Sequence, residues 1–140
     1  MNFELMAQAM PLLLMGAGVT IKITAISVLL GILIGLFVGI ARISTNRAIH
    51  LVAAVYVDFL RGTPLLVQIF LVYFALPVVT GQRIDPFVAA IAACSINSSA
   101  YVAEIFRAGI QSIDAGQMEA GRSLGMTWTQ TMRYIIVPQA

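Results

Sequence analysis

The residues able to do chemistry in this chain fall into three tracts, and none of them is assembled as an enzyme's machinery would be. Asp58, Arg61, Thr63 and Gln68 form the first tract. Ser95, Asn97, Ser98, Ser99, Tyr101, Glu104 and Arg107 form the second; Gln117, Glu119, Arg122 and Thr127-Trp128-Thr129-Gln130 form the third. His50 is the only histidine and Cys94 the only cysteine, so an internal disulfide is excluded. The sequence shows no metal-ligand cluster, phosphate-binding glycine loop or nucleophile–base arrangement. His50 reads as an interfacial residue and Cys94 as a helix-packing one. What remains is binding and mechanical chemistry. The second tract lies within or just below an apolar stretch, where polar groups are costly unless they face protein or a water-filled path. It has two readings. In one, Asn97, Ser98 and Glu104 line a solute pathway. In the other, the hydroxyls bond backbone carbonyls and Glu104 pairs with Arg107 one turn on. Arg61 and Gln68 share this ambiguity, since Arg61 could simply neutralise Asp58.

The elements that must position these residues follow from composition. Hydrophobic residues make up 60% of the chain and charged residues 10%, with a mean hydropathy of +0.95. A soluble domain has about half apolar and about a quarter charged residues. So few charges cannot solvate the surface, and lipid must cover much of it. The net charge of +2 is small and dispersed, which gives no support for nucleic-acid binding. The expected fold is an all-α membrane protein with residues 1–140 as one transmembrane domain. A span needs roughly 20 apolar residues, and three uncharged stretches approach this, giving spans at about 17–41, about 58–78 and about 86–103. The first contains Ile23–Ala41 between Lys22 and Arg42, with Lys22 snorkelling to the interface. Asp85-Pro86 should open the third span, aspartate as N-cap and proline at N1. The second is interrupted by Pro64 and Pro77. It either starts before Pro64 and kinks there or continues through Pro77. The first is preferred, with residues 43–57 as an interfacial lead-in and Asp58 and Arg61 paired at i,i+3. Gly31-x3-Gly35-x3-Gly39 in the first span forms a small-residue ridge for close helix packing, though the partner helix is not readable.

The third tract reads as helix, glycine turn, helix. Gly125 after Leu124 suits the left-handed residue that ends a helix. Thr127-x-x-Gln130 is a capping box that should start the next helix, and Pro138 limits its length. Glu119 and Arg122 can pair on the exposed face, while Trp128, Met132 and Ile135 or Ile136 form an apolar stripe. Arg42, Arg47 and Arg61 lie between the first two spans, and Arg107, Arg122 and Arg133 follow the third. The outer 77–86 loop carries only Arg83, balanced by Asp85. The positive-inside rule therefore places 42–61 and the coupling region, about 104–138, in the cytoplasm, with the N-terminus outside. The first ten residues hold Glu4 and no basic residue, so no cleavable leader is expected.

Glu119-Ala120-Gly121, Gly125, Ile135 and Pro138 resemble the E-A-A-x3-G-x9-I-x-L-P loop of ABC-importer membrane subunits, with Gly121 and Val137 as mild departures. Arg61-Gly62-Thr63-Pro64-Leu65-Leu66-Val67-Gln68 is similar to a segment of polar amino-acid permeases. So is Asn97 to Arg107, which leads into Gln117. The resemblance covers most of the chain from Tyr56 onward and points to the histidine/glutamine-type branch. It implies a non-catalytic inner-membrane permease subunit that pairs with an identical or different permease. It also implies docking of Gln117, Glu119, Ala120, Gly121, Gly125 and Pro138 onto a cytoplasmic ATPase dimer, and delivery of solute by an extracytoplasmic binding protein. This chain would bind no cofactor; ATP and Mg would sit in the partner ATPase. The solute would be a polar amino acid near Arg61, Thr63, Gln68, Asn97, Ser98 and Glu104, with Glu104 favouring a cationic one. Family members continue into further membrane helices past the loop, so a truncated permease or fragment is expected. Two rivals remain. A secondary-transporter half would need an inverted repeat, and none is seen. A membrane-anchored helix-turn-helix DNA reader would need more bases than the single Arg133 on its second helix.

Overall fold

The structure, a computed structural model, describes the backbone of residues 3–140 and the side chains from Gln8 onward. The Glu4 side chain and residues 1–2 lie outside the described residues, and with them part of the leader expectation. In chain order the elements are α1 (Phe3–Arg42), α2 (Arg47–Gly62), α3 (Leu65–Phe70), a π turn (Leu71–Ala75), α4 (Leu76–Thr80), α5 (Pro86–Ser112), α6 (Ala115–Ser123), α7 (Trp128–Thr131) and a second π turn (Met132–Ile136). Among the described residues two helices are long and apolar enough to cross a membrane, and a bent pair makes a third candidate span.

Helix α1 begins well before the span expected from about residue 17. It runs unbroken for 40 residues, about 60 Å at 1.5 Å per residue. Pro11 lies inside the helix without ending it, and the polar Thr20 is absorbed by donating to the Gly16 carbonyl at 3.0 Å. At the other end, His50 Nδ1 donates to the Arg42 carbonyl oxygen at 2.7 Å and so caps α1. Asn46 caps α2 by accepting from the amides of Ala48 and Ile49.

The second span departs from the preferred reading. The chain does not kink at Pro64 and carry on. It breaks, and the helix pair Arg47–Gly62 and Leu65–Thr80 is bent by 104°. Thr63 is extended, with φ −114° and ψ 142°, as the ring of a following proline demands. The outer arm then continues through Pro77, which sits in the first turn of α4 after the π turn. Asp58 and Arg61 do not pair; their partners lie on other helices.

Asp85 caps α5 as expected, accepting from the amides of Phe87 and Val88 at 2.9 and 3.2 Å. The helix then passes residue 103 and ends at Ser112, so Glu104 and Arg107 extend the same rigid rod as the apolar span. Helix α5 is also the partner of the α1 ridge. A Cβ on Gly31 would lie 2.7 Å from Ser98 Cβ, one on Gly35 2.6 Å from Val102 Cβ, and one on Gly39 2.8 Å from Phe106 Cδ1. Ser27, one step earlier in the same four-residue rhythm, is buried and donates to the Ile91 carbonyl at 3.4 Å. Close backbone approach therefore holds the two longest helices together. Helix α2 buries Ala53, Val57 and Leu60, and Tyr56 hydrogen-bonds Ser99 on α5 at 2.7 Å.

Candidate functional site

Helix α6 starts at Asp114, whose carboxylate accepts from the Gly116 amide at 2.7 Å. The spacing of Asp114 to Gln117 carried that signal in the sequence and was missed. The helix ends in a full Schellman motif. Met126 N–H donates to the Gly121 carbonyl at 3.2 Å, and Gly125 N–H to the Arg122 carbonyl at 3.0 Å. This geometry requires Gly125 at φ 82°, a region open to glycine without steric cost. Thr127 and Gln130 then form the capping box, with both reciprocal bonds present. The hairpin is thus built from local chemistry at every joint.

Gly121 carries the tightest contact between the two arms. A Cβ there would lie 2.6 Å from Thr131 Cγ2 and 3.0 Å from Ile135 Cδ1, and Thr131 is fully buried. The departure from alanine thus has a packing reason: a β-branched residue fills the space a methyl group would take. Gly121→Ala is expected to destabilise the hairpin by about 1–3 kcal/mol, the usual cost of overpacking. The added change Thr131→Ala should restore most of the loss. Thermal melting in detergent checks this, and additive losses in the double variant would refute the packing account.

The outer face of α6 is open. Gln117, Glu119 and Ala120 are exposed, as is Pro138 beyond the second π turn. Leu124 is 81% exposed and borders a shallow cleft lined also by Gly125, Met126, Gln130 and Tyr134. The expected Glu119–Arg122 pair is not formed. Arg122 Nη1 instead donates to the Met126 carbonyl at 3.2 Å, bracing the turn. On the second arm Met132 and Ile136 are buried while Trp128 remains half exposed.

The polar tract of α5 divides into three roles. Ser98 lies against Gly31 in the α1 seam. Ser95 and Ser99 donate to the carbonyls of Ile91 and Ile96 at 2.6 and 2.7 Å. Asn97 donates to Gln68 Oε1 at 3.1 Å, and the Gln68 amide bonds Thr63 Oγ1 at 2.8 Å. Three of the expected pathway residues therefore meet one another.

Glu104 is the hub of the remaining charges. Its Oε2 accepts from Arg42 Nη2 of α1 at 3.3 Å. Its Oε1 accepts from Arg107 Nε at 3.0 Å and lies 3.9 Å from Arg61 Nη1 of α2. Arg61 also sits over the Tyr101 ring, 5.5 Å from its centroid. Asp58 faces Arg42 at 3.9 Å. The i,i+3 pair with Arg107 was readable from spacing; the arginines of α1 and α2 were not. One carboxylate thus gathers three helices at the end of the bundle from which α6 hangs.

Such a helical membrane domain, with a rigid exposed hairpin at one end, has the architecture of an ABC-importer permease. The chain belongs to the family described as binding-protein-dependent transport system inner membrane component, whose model matches residues 31–140. It is similar to the arginine transport system permease protein ArtQ of Bacillus subtilis, at 41% identity over the whole of this chain and 64% of that protein. It is also 44% identical to the glutamine transport system permease protein GlnP of Escherichia coli K12, over 94% of this chain and 61% of that one. Among solved structures it matches an amino acid ABC transporter crystallised with histidines at 48% identity and a TM-score of 0.92, covering 99% of this chain and 64% of that one. The chain therefore spans somewhat under two thirds of the length of these relatives.

Proposed function

We propose that this chain serves as the membrane permease subunit of an ATP-driven importer for polar amino acids. In this reading α6 is the part that docks onto a cytoplasmic ATPase dimer, where ATP and Mg are bound. A second permease subunit and an extracytoplasmic binding protein complete the assembly. The arginine-rich connection 42–61 and the hairpin face the cytoplasm, and the N-terminus faces outward. Movement of the ATPases passes through α6 to the membrane helices, whose rigid-body rocking switches access to the solute.

The observation that carries the proposal is the hairpin itself. Its backbone is locked at both ends of the turn, yet its face of Gln117, Glu119, Ala120 and Leu124 is left uncovered. A rigid, exposed helix suits transmission of force to a partner. The surroundings of Glu104 argue against its selecting a cationic solute, because three arginines already share that carboxylate. Selection by Asn97 is likewise weakened by its bond to Gln68.

The test is capture of the co-encoded ATPase by the tagged chain in membranes. Wild type should retain the ATPase. Glu119→Arg, which reverses an exposed charge on the docking face, and Gly125→Val, which strains the φ 82° turn, should both lose most of it. Retention by both variants would refute docking through α6.

A further inference from the structure

We infer that Gln68 is a positioning residue: its side-chain amide replaces the hydrogen bond that Pro64 cannot make, and Asn97 ties that repaired break to α5. An amide N–H at position 64 would bond the Leu60 carbonyl four residues back, but proline has none. The Leu60 carbonyl is left without its helical partner, and so is the Thr63 carbonyl where α2 ends. In an apolar membrane setting such orphaned groups are costly. The two N–H donors of Gln68 Nε2 reach the Leu60 carbonyl and Thr63 Oγ1, each at 2.8 Å, and the Thr63 carbonyl at 3.3 Å shares one of them. Thr63 Oγ1 in turn donates to the Phe59 carbonyl at 2.9 Å.

Gln68 is 6% exposed, and its remaining acceptor is taken by Asn97 Nδ2 at 3.1 Å. Every hydrogen-bonding group of the Gln68 amide is thus spent on the break and on α5. The consequence is mechanical. Helix α5 leads directly into α6, so any displacement of α6 reaches Asn97 along one helix. The Gln68–Asn97 bond then passes it to the arm Leu65–Thr80, whose angle to α2 the same amide maintains. This function in transport rests on the importer reading above, whereas the clasp itself does not.

The experiment separates the two. Spin labels at Val52 and Val79 are placed on the two arms, and at Val79 and Ile105 across to α5, in lipid nanodiscs. Wild type should give one narrow distance distribution for each pair. Gln68→Leu, similar in size but unable to hydrogen-bond, should lose the narrow Val52–Val79 distribution. Asn97→Leu should leave that distribution narrow and broaden Val79–Ile105. A narrow Val52–Val79 distribution in Gln68→Leu overturns the clasp, whatever the transport result. In the assembled importer, Gln68→Leu should hydrolyse more ATP per solute moved with KM for solute unchanged. A changed KM with unchanged label distances would also overturn the proposal, since it would place Gln68 in contact with solute. Should the label results hold while both Glu119→Arg and Gly125→Val still capture the ATPase, docking through α6 fails and the clasp stands.

Discussion

Gly35→Val should push α1 away from α5 and produce the largest stability loss of any single glycine substitution in the ridge. A Cβ at this position meets Val102 Cβ at 2.6 Å and the Ser99 carbonyl oxygen at 2.7 Å. The second obstacle is backbone, which cannot rotate away. Gly39 faces the ring of Phe106, a side chain with some freedom, so the same change there should cost less. Overpacking of a fitted interface typically costs about 1–3 kcal/mol, and the branched valine adds two further methyl groups. A loss at the top of that range corresponds to a melting point roughly 6–12 °C lower for a chain of this size. The internal control is Gly18→Val in the same helix, where nothing lies within 4 Å. Melting in detergent should separate the two variants clearly. Equal melting points would mean that the α1–α5 seam does not hold the bundle together.

The ridge shows what the sequence could and could not reveal. Its four-residue rhythm was visible because small residues in an apolar helix have few other uses. Its partner was not, since Ser98, Val102 and Phe106 share no distinctive residue type and lie more than sixty positions away along the chain. The same division runs through the molecule. Asp85 with Pro86, Gly125, and Thr127 with Gln130 were legible because caps and turns are decided within a few residues. The break at Pro64 was only half legible. Proline announces that one hydrogen bond is missing, but whether a helix kinks or turns through 104° depends on which group fills the vacancy. That group, Gln68, stands in the sequence as one polar residue in an apolar stretch, which fits a solute contact and a backbone repair equally well. The start of α1 was not legible because Lys22 marks an interface, yet nothing around it ends a helix, and the helix runs on to Phe3.

Glu104→Leu should be the most damaging change among the charged residues. The variant keeps a side chain of comparable size but leaves Arg42, Arg61 and Arg107 facing one another. Arg42 is mostly buried, and its Nε already lacks a hydrogen-bond partner. Asp58 remains as the only nearby counter-charge among the described residues, at 3.9 Å from Arg42 and largely exposed. Removing one partner from a buried ion pair costs about 3–5 kcal/mol, and partial exposure should reduce this to about 2–3 kcal/mol. Asp58→Asn, by contrast, should cost no more than about 0.5 kcal/mol, because its side chain is 70% exposed. Adding Arg42→Met to Glu104→Leu removes the charge left stranded, so the double variant should be more stable than Glu104→Leu alone. Detergent melting of the four proteins at low and high salt measures all of this. High salt should soften the Glu104→Leu defect by screening the arginines from one another. If Glu104→Leu instead melts like wild type but the assembled importer loses uptake of cationic solutes alone, the carboxylate serves the solute path, and the three arginines around it are a gate rather than a clamp.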